Sequence, residues 1–305
     1  MKPILDIILH LAILLLLPPL LLGVIVRVKA VFAGRRGAPL LQPYYDLAKL
    51  MRRGLTLSTT ASWVFVAGPV VTLATVLLAG LLIPFGAAPA PVAFTGDLIL
   101  FLYLFGLARF FTTASALDTG SAFGGMGAAR EATFACLSEP ALGFALLALA
   151  RLAGSLKLGE LLHAPAQSLT AAVAAPLVLV GIGLFIVLLA ETCRIPVDDP
   201  TTHLELTMIH EAMVLDHGGP LFGIVLYASA VKLLVLGSVL VHVIAPFRVG
   251  PPWLDPWLHI AKLLALAGGI GVVESIMARL QMRHVPFLLV GAMLFCGFGF
   301  VLLIR

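Results

Sequence analysis

The chemistry-bearing residues of this chain gather in Ala190-Glu191-Thr192-Cys193-Arg194-Ile195-Pro196-Val197-Asp198-Asp199-Pro200-Thr201-Thr202-His203-Leu204-Glu205-Leu206. Charged residues make up 11% of the sequence and hydrophobic ones 61%, so a run carrying Glu191, Asp198, Asp199, Glu205, Arg194 and His203 stands apart from its surroundings. Carboxylates beside a guanidinium and an imidazole are the groups that hold and pass protons. Further along, Glu211, His210 and His217 continue the pattern, with His203, His210 and His217 spaced by seven. On a continuous helix that spacing forms one stripe, but neighbouring rings lie about 10 Å apart by rise, too far to share a metal ion. Asp199-Pro200 has the form of a helix start, with Asp199 as cap and Pro200 in the first turn, so a helix is predicted over Thr201 to Leu215. Arg194, three residues past Glu191, reaches it if the preceding helix continues.

Two more charged groups fall near the same level. Leu117 to Glu131 is glycine-rich and ends in Arg130-Glu131, and Glu139-Pro140 follows. The glycines match neither a Walker loop nor a dinucleotide fingerprint. Close backbone packing under Arg130 and Glu131 accounts for them better. Glu139 lies eight residues beyond Glu131, so the two carboxylates share a helix face. An acid within a membrane span costs about 2.5–3.5 kcal/mol on insertion scales and normally faces the bundle interior. The other group runs from Glu274 through Arg279 and Arg283 to Pro286, where Glu274 requires a partner from Arg279 or a neighbouring span. Arg109 and Lys232 lie deep in apolar runs as internal counter-ions, whereas Arg151 and Lys262 can snorkel to an interface. No nucleophile–base triad or hydrolase acid pair is visible. Cys136, Cys193 and Cys296 stand singly, without metal-ligand spacing.

The elements that position these groups follow from hydropathy. A mean hydropathy of +1.12 excludes an ordinary soluble domain. Runs of roughly 20 apolar residues span hydrocarbon as helices, and the lack of two-residue alternation excludes barrel strands. Eight spans are predicted, near 4–26, 63–83, 98–114, 132–152, 171–190, 221–244, 257–277 and 285–304. The first is followed by Arg27 and Lys29 without a cleavage site and is expected to be retained. An all-α, polytopic transmembrane bundle forming one integral membrane domain is expected.

Arg27, Lys29, Arg35, Arg36, Lys49, Arg52, Arg53, Arg130, Arg194, Arg279 and Arg283 fall on one side, against Lys2, Lys157, Arg248 and Arg305 on the other. The positive-inside rule places the richer side in the cytoplasm and both termini outside. This asymmetry also accounts for the net charge of +4 without nucleic acid. Pro39 to Leu57 is too short and basic to span. Its apolar residues recur opposite Asp46, Lys49, Arg52 and Arg53, as in an amphipathic helix lying on the cytoplasmic interface.

Taken together, Gly34-Arg35-Arg36-Gly37, Gln42-Pro43-Tyr44-Tyr45-Asp46-Leu47-Ala48-Lys49-Leu50, Leu117 to Glu131, Glu139-Pro140, Ala190 to Leu206 and Glu274 to Pro286 resemble a known family. It is that of the heel subunit of respiratory complex I, the NADH-quinone oxidoreductase. The likeness is closer to its hydrogenase-type branch, formate hydrogenlyase subunit 4 and the hydrogenase-4 membrane component. Quinone-type members carry Pro-Phe-Asp and an acid-rich Glu-Ala-Glu segment where this chain has Val197-Asp198-Asp199-Pro200-Thr201-Thr202-His203.

The resemblance implies a subunit of a bacterial or archaeal cytoplasmic membrane that is not catalytic alone. Its expected partners are hydrogenase-like large and small subunits, an iron–sulfur subunit and antiporter-like membrane subunits. Iron–sulfur clusters and a nickel–iron (NiFe) centre are expected in those partners, with no cofactor or metal in this chain. On this reading Glu131, Glu139, Glu191, Asp198, Asp199, Glu205, Glu211, Glu274 and Lys232 form a proton path. Arg109, Arg130, Arg194 and Arg279 pair with acids, and Arg35, Arg36, Gln42, Tyr44, Asp46, Lys49 and Asp118 dock the redox module. A quinone-site subunit of a complex I-type enzyme and a purely structural membrane anchor stand as alternatives.

Overall fold

In the computed structural model, residues 2–86, 88–168, 170–198, 208–247 and 254–304 are described. Apolar runs become long helices because each backbone group bonds within its own helix. In order they are α1 (Lys2–Phe32), α2 (Gln42–Met51), α3 (Trp63–Leu81), α4 (Asp97–Asp118), α5 (Ala122–Ala153), α6 (Leu158–Gln167), α7 (Ala171–Glu191), α8 (His210–Val214), α9 (Gly219–Ile244), α10 (Asp255–Ile276) and α11 (Val285–Ile304). A 3-10 turn, Met282–His284, leads into α11. There is no strand among the described residues. Eight of the helices are long and apolar enough to cross a membrane, as expected from hydropathy.

The central helix is α9, with 72% of its most apolar window buried, more than any other span. It packs on α3, α1, α7 and α10, while α11 seals the flank formed by α5 and α7. Ile25, Phe101, Leu146, Leu234 and Leu240 are fully enclosed within the bundle. This placement carries Lys232, midway along α9, to the axis of the bundle.

Three spans clearly exceed the predicted lengths; α1 continues to Phe32 rather than ending near 26. Instead of ending near 114 and restarting near 132, α4 runs to Asp118 and α5 begins at Ala122. The glycine-rich stretch therefore spans the end of α4, a short turn holding Gly120 and the first part of α5, and two of its glycines, Gly124 and Gly127, serve close packing as expected. A Cβ on Gly124 would sit 2.6 Å from Ala116 O, and one on Gly127 would sit 2.9 Å from Ile209 O. Asp118 accepts hydrogen bonds from Ser62 N at 2.6 Å and Ser62 Oγ at 2.7 Å, while Ser62 Oγ accepts from Val64 N at 3.2 Å to cap α3.

The helix expected within Pro39 to Leu57 is α2, shorter at both ends and with none of its residues fully buried. It crosses α1 and α9: Tyr44 Oη donates to Leu16 O, and Leu50 and Met51 meet Gly223. Gly23 is what lets the chain leading into α2 lie against α1, since a Cβ there would collide with Leu40 O. The sequence reading did not anticipate α6, which tucks Leu158, Leu161 and Leu162 against the end of the bundle remote from Glu191.

Candidate functional site

Arg109, on the inner face of α4, is bound by three carboxylates. Its Nε donates to Glu131 Oε1 at 3.0 Å, its Nη1 to Glu139 and its Nη2 to Glu191. Glu131 and Glu139 come from one face of α5, as their spacing required, and Glu191 is the last residue of α7. Lys232 Nζ approaches the other Glu191 oxygen at 2.6 Å, and Ser138 Oγ donates to Glu191 Oε1 at 2.7 Å. Side-chain exposure falls from 49% at Glu139 to 20% at Glu131 and 4% at Glu191. One guanidinium thus links an acid at the bundle surface to one at its axis. Its planar fork of donors suits it to hold several carboxylates at once.

Arg109, Glu131, Glu191 and Lys232 line a cavity with Thr72, Thr112, Ser115, Cys193, His210 and His217. The space open to water inside it is about 60 Å³. That holds a few waters. The sequence reading missed the lining residues Thr72, Thr112 and Ser115, and also Ser138, which supports Glu191 from outside this cavity. A hydroxyl in a transmembrane helix commonly bonds its own preceding turn, as Thr112 Oγ1 does to Ala108 O at 2.9 Å, and so carries no sequence signal of its own.

The segment after α7 closes the cavity. Asp198 accepts hydrogen bonds from Ile209 N at 3.2 Å and His210 N at 3.1 Å, so its carboxylate stands at the start of α8. The helix predicted over Thr201 to Leu215 is corrected here: Met208 and Ile209 are not helical, and the helix ends at Val214. The single stripe of His203, His210 and His217 is lost with it, because His217 lies beyond the helix end. Asp199, His203 and Glu205, and with them the predicted cap, lie outside the described residues. His217 instead stacks on Phe65 with centroids 4.1 Å apart and meets Ser115 Oγ at 3.1 Å. Arg130 donates to Met208 O at 2.9 Å and pins the segment to α5.

Four groups in this segment are held away from their ordinary values. Burial, reinforced by the charge of Lys232, lowers His210 to about 4. Burial also lowers His217. Burial, with Asp198 adding to it, raises the Glu211 carboxyl. The Cys193 thiol is pushed well up by burial and then by Asp198, which leaves it an unreactive thiol. The imidazoles are therefore neutral near pH 7.

A second ion cluster braces the same side. Because α7 stops at Glu191, Arg194 does not fold back onto it. Its Nη1 donates to Glu274 Oε1 of α10 at 3.2 Å, and Lys29 of α1 meets Glu274 Oε2 at 2.8 Å. Glu274 finds neighbouring-span partners, as expected, and Arg279 sits in the turn that follows α10. Of the residues assigned to docking, Gln42 donates to Asp46 at 2.9 Å, Lys49 lies on α2, and Arg35 and Arg36 occupy the exposed turn after α1. Among the described residues no group of His, Cys, Asp or Glu has metal-site geometry.

Comparison with known proteins fits this arrangement. The family profile described as NADH dehydrogenase matches residues 5–305. Formate hydrogenlyase subunit 4 of Escherichia coli (strain K12) is 33% identical over 296 residues, covering 93% of this chain and 92% of that protein. Hydrogenase-4 component C of the same organism is 33% identical over 235 residues, 77% of this chain and 73% of its own length. A chain in the structure of the membrane-bound sulfane sulfur reductase, an archaeal respiratory membrane complex, shares the fold with a TM-score of 0.80 at 22% identity, over 98% of this chain and 99% of that one. The chain is a multi-pass membrane protein that belongs to the NADH dehydrogenase family, on the branch of formate hydrogenlyase subunit 4 and hydrogenase-4 component C.

Proposed function

We propose that this chain anchors a peripheral hydrogenase-like redox module in a bacterial or archaeal cytoplasmic membrane and couples its electron transfer to the movement of protons (or sodium ions). The observation that carries this reading is the Arg109 cluster. Glu131, Glu139 and Glu191 converge on Arg109 and Lys232, one carboxylate more than there are cations. In a low-dielectric interior an unbalanced charge is costly. Because Glu139 reaches the bundle surface while Glu131 and Glu191 are progressively enclosed, a proton exchanged along this row lets the charge of the cluster follow events at its edge. Kinship with formate hydrogenlyase subunit 4 and hydrogenase-4 component C supports the hydrogenase-type module over a quinone-type one.

In this scheme the loop side of the bundle faces the cytoplasm, both termini face outward and α2 lies along the inner interface. Arg35, Arg36, Gln42, Tyr44, Asp46, Lys49 and Asp118 meet the module, which comprises hydrogenase-like large and small subunits and an iron–sulfur subunit and carries the iron–sulfur clusters and the NiFe centre. Antiporter-like subunits flank the bundle within the membrane. Redox change in the module shifts the segment between α7 and α9. Asp198 and Glu211 move with it, and Glu139, Glu131 and Glu191 exchange their proton in order of decreasing exposure.

The test is Glu139→Gln in the intact complex reconstituted into vesicles. Subunits should still co-purify while redox-driven proton or sodium movement is lost. Unchanged pumping in that variant would refute the coupling role.

A further inference from the structure

At the opposite end of the bundle lies a second polar group that the Arg109 cluster does not include. His163 of α6, His242 of α9 and His259 of α10 form a row, with centroids 5.8 Å apart for His163 and His242 and 5.1 Å for His242 and His259. His259 Nε2 lies 3.2 Å from Ser238 Oγ, and His242 Nδ1 lies 2.7 Å from Ser238 O. These rings wall a cavity, shared with Asp255 and Lys262, with about 30 Å³ open to water, room for one or two molecules. Asp255 is 7% exposed, and its Oδ1 has no hydrogen-bond partner among the described residues. Lys262 is occupied in part by Ala245 O at 2.7 Å and Phe247 O at 2.5 Å, closing the end of α9. His10 of α1 stands outside the row, stacked at 4.3 Å on Phe85, which separates it from His259.

Three imidazoles, a buried carboxylate and a water-sized cavity are costly to place beside lipid for packing alone. We propose that the row His163–His242–His259, with Asp255 and Ser238, is the second, outward-facing half of the proton route, exchanging protons between outer water and the bundle. This rests on the ion-coupling reading above. An imidazole passes a proton without net change, accepting on one ring nitrogen and releasing from the other. Asp255 offsets the charge while a ring is protonated.

The two halves are separated along α9. Lys232 and Ser238 are six residues, about 9 Å, apart by helix rise. Leu233, Leu234, Val235, Leu236 and Gly237 between them are all buried. That dry interval keeps the halves from leaking into each other, so transfer awaits a change in the charge of the Lys232–Glu191 pair.

The decisive experiment measures proton movement per electron in vesicles holding the intact complex, for wild type, His242→Gln, His259→Gln and Glu139→Gln, with co-purification of partner subunits as the assembly check. The proposal expects at least about a tenfold loss in both histidine variants, since a positioned proton carrier is worth a hundredfold or more. Proton movement within twofold of wild type in both would overturn it. If His259→Gln fails to assemble, the partly exposed His163→Gln decides by the same criterion. Loss in Glu139→Gln with retention in the histidine variants, or a wild-type complex that moves sodium but no protons, defeats only this second half-route, whereas a wild-type complex that moves neither ion defeats both readings.

Discussion

Lys232 reaches from the middle of α9 to within 2.6 Å of Glu191 Oε2 at the end of α7. Arg109 from α4 holds the other oxygen of the same carboxylate. Glu191 is thereby the node where the graded acid row on α5 meets the cation placed on the bundle axis. Cations on two different helices also make the position of α7 relative to α9 depend on the charge of one side chain, which is the property a coupling element requires.

Removing Lys232 alone leaves three carboxylates on the single cation Arg109, which is more harmful than removing Lys232 together with Glu191. Lys232→Met should lower the stability of the complex by less than the roughly 3–5 kcal/mol of a wholly uncompensated buried charge, because Arg109 and Ser138 still hold Glu191. Adding Glu191→Gln should recover much of that loss. Thermal unfolding of the single and double variants in one detergent checks the order, and a double variant less stable than Lys232→Met would contradict it.

Close packing at the α5–α8 contact gives a second prediction. A Cβ on Gly127 would lie 2.9 Å from Ile209 O and 3.0 Å from Met213 N, both backbone atoms that cannot swing aside. Gly127→Ala should displace α8 and cost about 1–3 kcal/mol, more than the roughly 1 kcal/mol of helix propensity that alanine adds. Gly143, on the same helix, has nothing within 4 Å of the added atom. Gly143→Ala should instead leave stability unchanged or raise it by up to about 1 kcal/mol. Parallel melting curves distinguish the two.

The spans and the carboxylate pair were readable because hydropathy and a helical interval are local properties. Eight apolar runs became eight helices, and the interval from Glu131 to Glu139 put both acids on Arg109. What sequence spacing misjudged was tertiary. Arg194 was close to Glu191 in sequence, yet the end of α7 turned it toward Glu274, 80 residues away. The run Leu117 to Glu131 fell between two predicted spans, and close contact of Gly124 with Ala116 and of Gly127 with Ile209 and Met213 accompanies the helix that fills most of it. His163, His242 and His259 drew no notice, since single histidines on three separate helices form a row only once those helices pack.

Acid should loosen the segment that closes the main cavity. His210 is lowered to about 4 in the folded protein from an ordinary 6.5, so between those values the unfolded segment binds more protons. Stability is therefore full above pH 6.5 and declines as pH falls through this window. Glu211, raised by burial, works in the opposite sense, losing stability as pH rises above the usual carboxylate range. Hydrogen exchange at the amides of α8 should accelerate from pH 6.5 toward 4, after correction for intrinsic rates. His210→Asn should flatten that dependence, and an unchanged profile in the variant would assign the acid response to another group.

Asp198 is the carboxylate that starts α8, although it lies twelve residues before His210. By accepting from two consecutive backbone amides it does, from a distant point in the sequence, what an adjacent cap does locally. Asp198→Ala should cost about 0.5–2 kcal/mol, the range for losing a cap. The loss should be local, because Asp198 bonds the backbone at the start of α8, and α8 is held from its other side by close packing on Gly127. Limited proteolysis should therefore show faster cleavage between Val197 and Val214 while the spans stay protected. Asp198→Asn, which keeps an acceptor oxygen, should fall between wild type and alanine. If asparagine and alanine cleave at equal rates, the charge rather than the hydrogen-bond geometry holds this segment, and its movement would then follow protonation of Asp198 directly.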